Sequence, residues 1–156
     1  ECRAKPFYRT KAALLEWWQL VKPGGHLFFI VPDEDLYEQG VFESRFNPDH
    51  KATFTISKRQ SWSGRSYNVL KLAQSLPNGY LLLLELQDAG YDRRKQNFGP
   101  KPSRAIRAAL RLYRIMRDWL GIKLQLGELL DDRLRFHDQT SAGALAQIAC
   151  IVRKTK

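Results

Sequence analysis

The tetrad Lys22-Pro23-Gly24-Gly25 limits the possible folds of this chain more than any other feature. Ahead of it, residues Tyr8 to Val21 place Ala12, Leu15 and Trp18 at helical spacing, with Lys11 and Glu16 on other faces, which predicts an amphipathic helix. Proline cannot continue that helix and glycine accepts a left-handed turn, so the tetrad ends it. His26 to Val31 follows as an almost wholly apolar run rich in aromatic and β-branched residues. Such a run predicts a strand covered on both faces. Helix, glycine turn and buried strand together make an α/β unit.

From Pro32 to Thr53 the period is lost and Asp, Glu, Asn, Pro, Gly and His accumulate, which predicts an irregular excursion off the carboxyl end of that strand. Open α/β sheets bind their ligands there. A short strand is expected over Thr53 to Ile56, a helix over Ser66 to Leu76 stopped by Pro77, Asn78 and Gly79, and a second buried strand over Tyr80 to Leu86. Asp92 to Pro102 reads as a polar, basic connector. Ser103 is then a candidate N-cap for a helix running to Leu120 before Gly121. On that helix Ile106, Ala109, Tyr113, Met116 and Leu120 share one stripe, and Arg104, Arg107, Arg111 and Arg114 share another. A polar stretch from Asp131 to Gly143 leads into a last expected strand, Ala144 to Val152.

Composition narrows the class. With 156 residues, 44% of them apolar and 12% aromatic, the chain can bury a real core and is globular rather than disordered. Position 1 is Glu and no signal peptide opens the sequence, so a fragment is expected. Cys2 and Cys150 stand near opposite ends without a CxxC, and His26 and His137 are isolated, so no metal site is expected and a reducing cytoplasm fits. Leu27 to Val31 and Leu81 to Leu84 are far shorter than the ~20 residues of a membrane span, so no membrane partner is expected either. The net charge of +10 invites a polyanion, because clustered Lys and Arg neutralise phosphates.

Leu14-Leu15-Glu16-Trp17-Trp18-Gln19-Leu20-Val21-Lys22-Pro23-Gly24-Gly25-His26-Leu27 resembles the helix, turn and fifth strand of class I S-adenosylmethionine-dependent methyltransferases. Tyr80 to Asp88 is similar to their sixth strand, and Ala146 to Lys154 to their antiparallel seventh. Arg45, Asn47, His50 and Lys51 match an Arg-x-Asn-x-x-His-Lys segment found after the fifth strand in some of these enzymes, and Asp138-Gln139-Thr140 is also similar. The resemblance implies the C-terminal portion of a Rossmann-like methyltransferase sheet, fifth to seventh strands with the last antiparallel. All 156 residues would belong to that one domain, with a basic family-specific insertion over Asp92 to Leu130. It further implies S-adenosylmethionine as cofactor of the intact protein and exposed sheet or helix faces through which copies associate. The family's glycine-rich loop and the acidic residue that grips the ribose have no counterpart, for no GxGxG occurs here. These 156 residues alone are therefore expected to be inactive and not to bind the cofactor.

Methyl transfer needs donor and acceptor aligned and, for a poor nucleophile, a proton removed. His50 is the candidate base, since an imidazole titrates near neutrality; equally, it can brace the loop by hydrogen bonding. Arg45, Asn47, Asp49 and Lys51 are candidates for binding a small-molecule or saccharide acceptor, Arg45 through its donor fork. Equally, Arg45 can pair with Glu43 or Asp49, and Asn47 can form a turn with Pro48. Of the adjacent Trp17 and Trp18, one is expected to face the core. The arginine stripe reads either as a phosphate or nucleic-acid contact or as a solvated or inter-subunit face. That leaves an alternative function, a non-catalytic basic module binding RNA or another polyanion.

Overall fold

In the computed structural model, residues 7–56, 58–98, 103–121, 124–134 and 136–156 are described. They divide into two compact units, one of residues up to Tyr91 together with Asp138–Lys156, the other of Asp92–His137.

In the first unit, helix α1 (Phe7–Leu20) ends at the glycine turn and strand β1 (His26–Pro32) begins directly after it. Both glycines answer to geometry. Gly24 has φ of +80°, and a Cβ on Gly25 would stand 2.9 Å from the Lys22 carbonyl oxygen. Strand β5 (Gln147–Lys154) closes the turn from the far end of the chain: Gly24 N–H donates to the Lys154 carbonyl at 2.8 Å, and Lys154 N–H to the Gly25 carbonyl at 2.9 Å. The Lys154 ammonium donates to the carbonyls of Trp18 and Val21, at 3.0 and 2.9 Å, and lies 5.4 Å from the centre of the Trp18 ring. A cation thus meets the negative end of α1.

β5 is the middle strand of a three-stranded sheet ordered β1-β5-β4, with β4 spanning Gly79–Gln87, and it runs antiparallel to both neighbours. β1 and β4 are therefore parallel to each other and separated by one reversed strand. The chain is α/β with a mixed sheet. Leu14 and Trp18 of α1, together with Val69, Leu72, Ala73 and Leu76 in and just after helix α2 (Val69–Gln74), pack against Ile148, Cys150 and Val152 of β5. Leu27, Phe29 and Val31 of β1 and Leu81, Leu84 and Leu86 of β4 join the same cluster. Trp18 is 2% exposed and its indole N–H donates to the Pro77 carbonyl at 3.0 Å, while Trp17 stays in water.

The expectation of strands covered on both faces fails. Phe28, Ile30, Tyr80 and Leu82 are exposed. The helices α1 and α2 both contribute to the cluster on the opposite face, and an unbroken apolar run does not say whether one face or two will be covered.

The excursion between β1 and α2 holds a small parallel pair, β2 (Thr53–Thr55) with β3 (Ser66–Asn68). The single helix expected over Ser66 to Leu76 is thus a strand and a shorter helix. Asn68 separates them: its backbone is extended, and its side chain accepts from Lys71 N–H as the N-cap of α2. Glu34, fully buried, ties this pair to the end of β1. Its carboxylate accepts from Thr53 Oγ1 (3.2 Å), Ser61 Oγ (2.7 Å), Ser66 Oγ (2.6 Å) and Lys58 Nζ (3.2 Å). A carboxylate out of water requires such donors. Burial alone opposes the Lys58 charge, but its hydrogen bonds and attraction to Asp35 and Glu34 prevail, holding the ammonium above its ordinary range.

In the second unit, α3 (Arg104–Leu120) has Ser103 as N-cap, accepting from Ile106 N–H, and Gly121 as a left-handed C-cap with φ of +65°. It packs on α4 (Gln125–Leu134), which falls partly in a stretch expected to be merely polar. Tyr113 is the buried residue of α3; its hydroxyl donates to the Leu124 carbonyl at 3.3 Å. Its ring lies where a Cβ on Gly127 would approach within 2.5 Å, so a glycine lets the two helices close together. No helix among the described residues is long and apolar enough to cross a membrane.

Candidate functional site

The carboxyl end of β1 opens on a cavity of about 470 Å³ within the first unit. Ile30, Val31 and Pro32 form one wall, the segment Gly143 to Gln147 entering β5 forms another, and Tyr37, His50 and Thr140 add polar groups beside the Gln147 amide. A bonded turn builds this edge. Asp33 N–H donates to the Ala146 carbonyl at 3.0 Å, and its Oδ1 accepts from the backbone N–H groups of Asp35 and Leu36, both at 3.0 Å. Tyr37 N–H then closes onto the Asp33 carbonyl at 2.9 Å. Burial pushes the Asp33 carboxyl above the usual range; the two backbone donors oppose this, and the charges of Asp35 and Glu34 add to it.

That turn delivers Tyr37 and Glu38 to the base of His50. Glu38 is fully buried, and its Oε1 lies 2.6 Å from His50 Nδ1. A carboxylate can only accept, so the hydrogen between them sits on Nδ1 and Nε2 is the nitrogen left for another partner. The other carboxylate oxygen, Oε2, is buried without a hydrogen-bond partner among the described residues. Native folds retain few such orphans, and they deserve a functional explanation. The Tyr37 ring sits 5.0 Å from the imidazole, centre to centre, and Phe46 meets Tyr37 edge-on at 5.9 Å. Burial first, then the charges of Asp138 and Glu38, raise the Tyr37 hydroxyl above its ordinary range and keep it protonated as a donor. Asp138 itself is the cap of a one-turn helix, accepting from Thr140 N–H at 3.0 Å and Thr140 Oγ1 at 2.6 Å, which fixes the threonine at the cavity edge.

Of the five residues singled out from sequence, His50 lines this cavity. The other four lie elsewhere. Asn47 Oδ1 accepts from Asp49 N–H at 3.0 Å and the Asn47 carbonyl accepts from His50 N–H at 3.2 Å, so Asn47 shapes the turn that carries the imidazole. Lys51 Nζ donates to the Pro48 carbonyl at 3.2 Å and stands 4.0 Å from Asp49, both side chains largely in water. Arg45 is half-buried, and burial lowers the pKa of its guanidinium. Sequence reasoning missed Tyr37 and Glu38. The only available signal was their place in the acidic segment that follows β1.

The cavity does not fit S-adenosylmethionine by itself. No carboxylate lines it to take ribose hydroxyls, and the chain has no GxGxG to cradle the amino-acid end. Among the described residues no three His, Cys, Asp or Glu side chains gather as a metal site. What the arrangement can do is hold a small polar molecule between a phenol, a hydroxyl and an oriented imidazole, and accept a proton from it. Comparison with protein-family models, curated proteins and solved structures returns no match.

Proposed function

We propose that this chain is the acceptor-binding part of an S-adenosylmethionine-dependent methyltransferase, in which His50 takes the proton from the acceptor's nucleophilic group. The observation that carries the reading is the sheet order, a reversed strand β5 set between the parallel β1 and β4. The resemblance of Tyr80 to Asp88 and of Ala146 to Lys154 to the family's sixth and antiparallel seventh strands implies a last strand that runs against the other two. The His50–Glu38 pair at the carboxyl end of β1 adds the chemistry: Glu38 holds the ring and fixes its tautomer, Nε2 takes the proton, and the buried carboxylate balances the imidazolium that forms. Tyr37 and Thr140 orient the acceptor by hydrogen bonding. A cavity of this volume with a few polar groups suits a small molecule or one saccharide unit.

The cofactor-gripping groups would come from polypeptide encoded ahead of Glu1. Reading that coding sequence tests the proposal: a strand leading into a GxGxG turn supports it, and the lack of one sinks it. The second reading, a non-catalytic module for RNA or another polyanion, draws on the exposure of Arg104, Arg107 and Arg111. Salt-dependent RNA binding that the Gln substitutions of these residues abolish would favour it.

A further inference from the structure

The arginines of α3 have an apolar neighbour that the two-helix unit does not cover. At about 3.6 residues per turn the helix carries two apolar stripes. One runs through Ile106, Tyr113 and Met116; Tyr113 is its buried member and packs beside Gly127 of α4, while Ile106 is exposed. The other runs through Ala105, Ala108, Leu112, Ile115 and Trp119 at spacings of three and four. It stays in water, with Leu112 58%, Ile115 52% and Trp119 88% exposed. Arg104, Arg107 and Arg111, also exposed, form the row beside this second stripe. Single exposed apolar side chains are ordinary; a whole stripe bordered by cations is not.

We propose that α3 binds the surface of an anionic lipid bilayer. The helix lies in the headgroup plane, with Leu112, Ile115 and Trp119 at the acyl boundary and the arginines against lipid phosphates. Seventeen residues that are strongly two-faced but low in mean hydropathy, with basic and Trp/Leu faces side by side, are what interfacial binding requires. Indole favours that depth because its ring is apolar and its N–H is polar. Charge selects among occupants. Residues 92–137 hold twelve Lys and Arg against five Asp and Glu, so an anionic surface is attracted while a second copy laid along the stripe brings its own arginines alongside. Asp118, 2.8 Å from Arg117 Nε, is the acidic group on the arginine side of α3 and offsets little of that field. RNA satisfies the arginines but leaves Leu112 and Ile115 in water. A helix that lies in the headgroup plane needs neither the length nor the apolarity of a membrane span, and α3 has neither.

Flotation with vesicles of phosphatidylcholine, and of phosphatidylcholine with a third of phosphatidylglycerol, tests this at physiological salt. The parent chain is expected to float with the anionic vesicles alone. Arg104, Arg107 and Arg111 changed together to Gln, and separately Leu112 and Trp119 changed to Ser, should each weaken partitioning by about 10-fold or more. Brominated acyl chains should quench the parent's fluorescence, and a Trp119→Phe variant should lose that quenching. No vesicle binding, or binding of a short single-stranded RNA alone, overturns the proposal. So does vesicle binding that the Ser variant retains, which is simple charge adsorption. A parent dimer that the Ser variant dissolves also overturns it, by assigning the stripe to a second copy.

Discussion

His50 depends on one carboxylate, and two substitutions separate base from brace. On the proposed reading, His50→Ala in the full-length protein should lower methyl-transfer turnover by about 10²-fold, the usual contribution of a general base. Glu38→Gln, which keeps the shape but can hold the other tautomer, should lower kcat by about 10-fold or more with KM little changed. Steady-state kinetics with the acceptor checks both, and unchanged rates would make the pair purely structural. Cys150 offers an independent check on the core. It is fully buried on β5, and burial pushes its thiol from 9.0 to about 11. The unfolded chain then loses this proton before the folded one does, so stability is intact below pH 9 and falls between pH 9 and 11. The loss attributable to this group is roughly 2–3 kcal/mol. Urea titrations at the two pH values, compared with Cys150→Ala, should show the wild type losing more. Legibility at this scale was uneven. His50 was readable because an imidazole in an aperiodic acidic loop is a chemical signal by itself; Glu38 was not, because it lies twelve residues earlier and only the bonded turn at Asp33 brings it back.

Among the elements, the glycine turn was read from residue type and the structure shows why. Gly25→Ala would force a Cβ against the Lys22 carbonyl, and Gly24→Ala would put a side chain at φ of +80°. Each should cost about 1–2 kcal/mol in urea unfolding, and a neutral result would show that the turn can relax. Arg104, Arg107 and Arg111 changed to Gln should instead leave stability within about 0.5 kcal/mol, as surface changes do. Helix α1, strands β1 and β4, and helix α3 were legible because their periods run for several residues and their stops are Pro or Gly. β3 was not, since Ser66, Tyr67 and Asn68 become a strand only by pairing with β2, a long-range event without local signature. α4 was hidden by its polar residues and by Gly127, whose reason lies in the Tyr113 ring. Coverage of the sheet was misjudged because apolar sequence reports what a residue prefers, not which neighbour arrives.

Calorimetric titration with S-adenosylmethionine should give no saturable heat, because the sequence has no GxGxG and, among the described residues, no carboxylate lines the cavity. One-to-one binding in the micromolar range would show that the cofactor site had been misplaced. The exposed Phe28, Ile30, Tyr80 and Leu82 should also make the chain self-associate, with sedimentation velocity showing species above the monomer at raised concentration. The position of β5 bears on the order in which the protein can assemble. Among the described residues β1 and β4 have no ladder to each other, and both pair with β5. The three-stranded sheet β1-β5-β4 can therefore close only after all of Asp92–His137 has been made and Gln147–Lys154 emerges to pair with both. A ribosome paused within α3 holds β1 and β4 without the strand that joins them, which makes that interval the one in which a chaperone matters most.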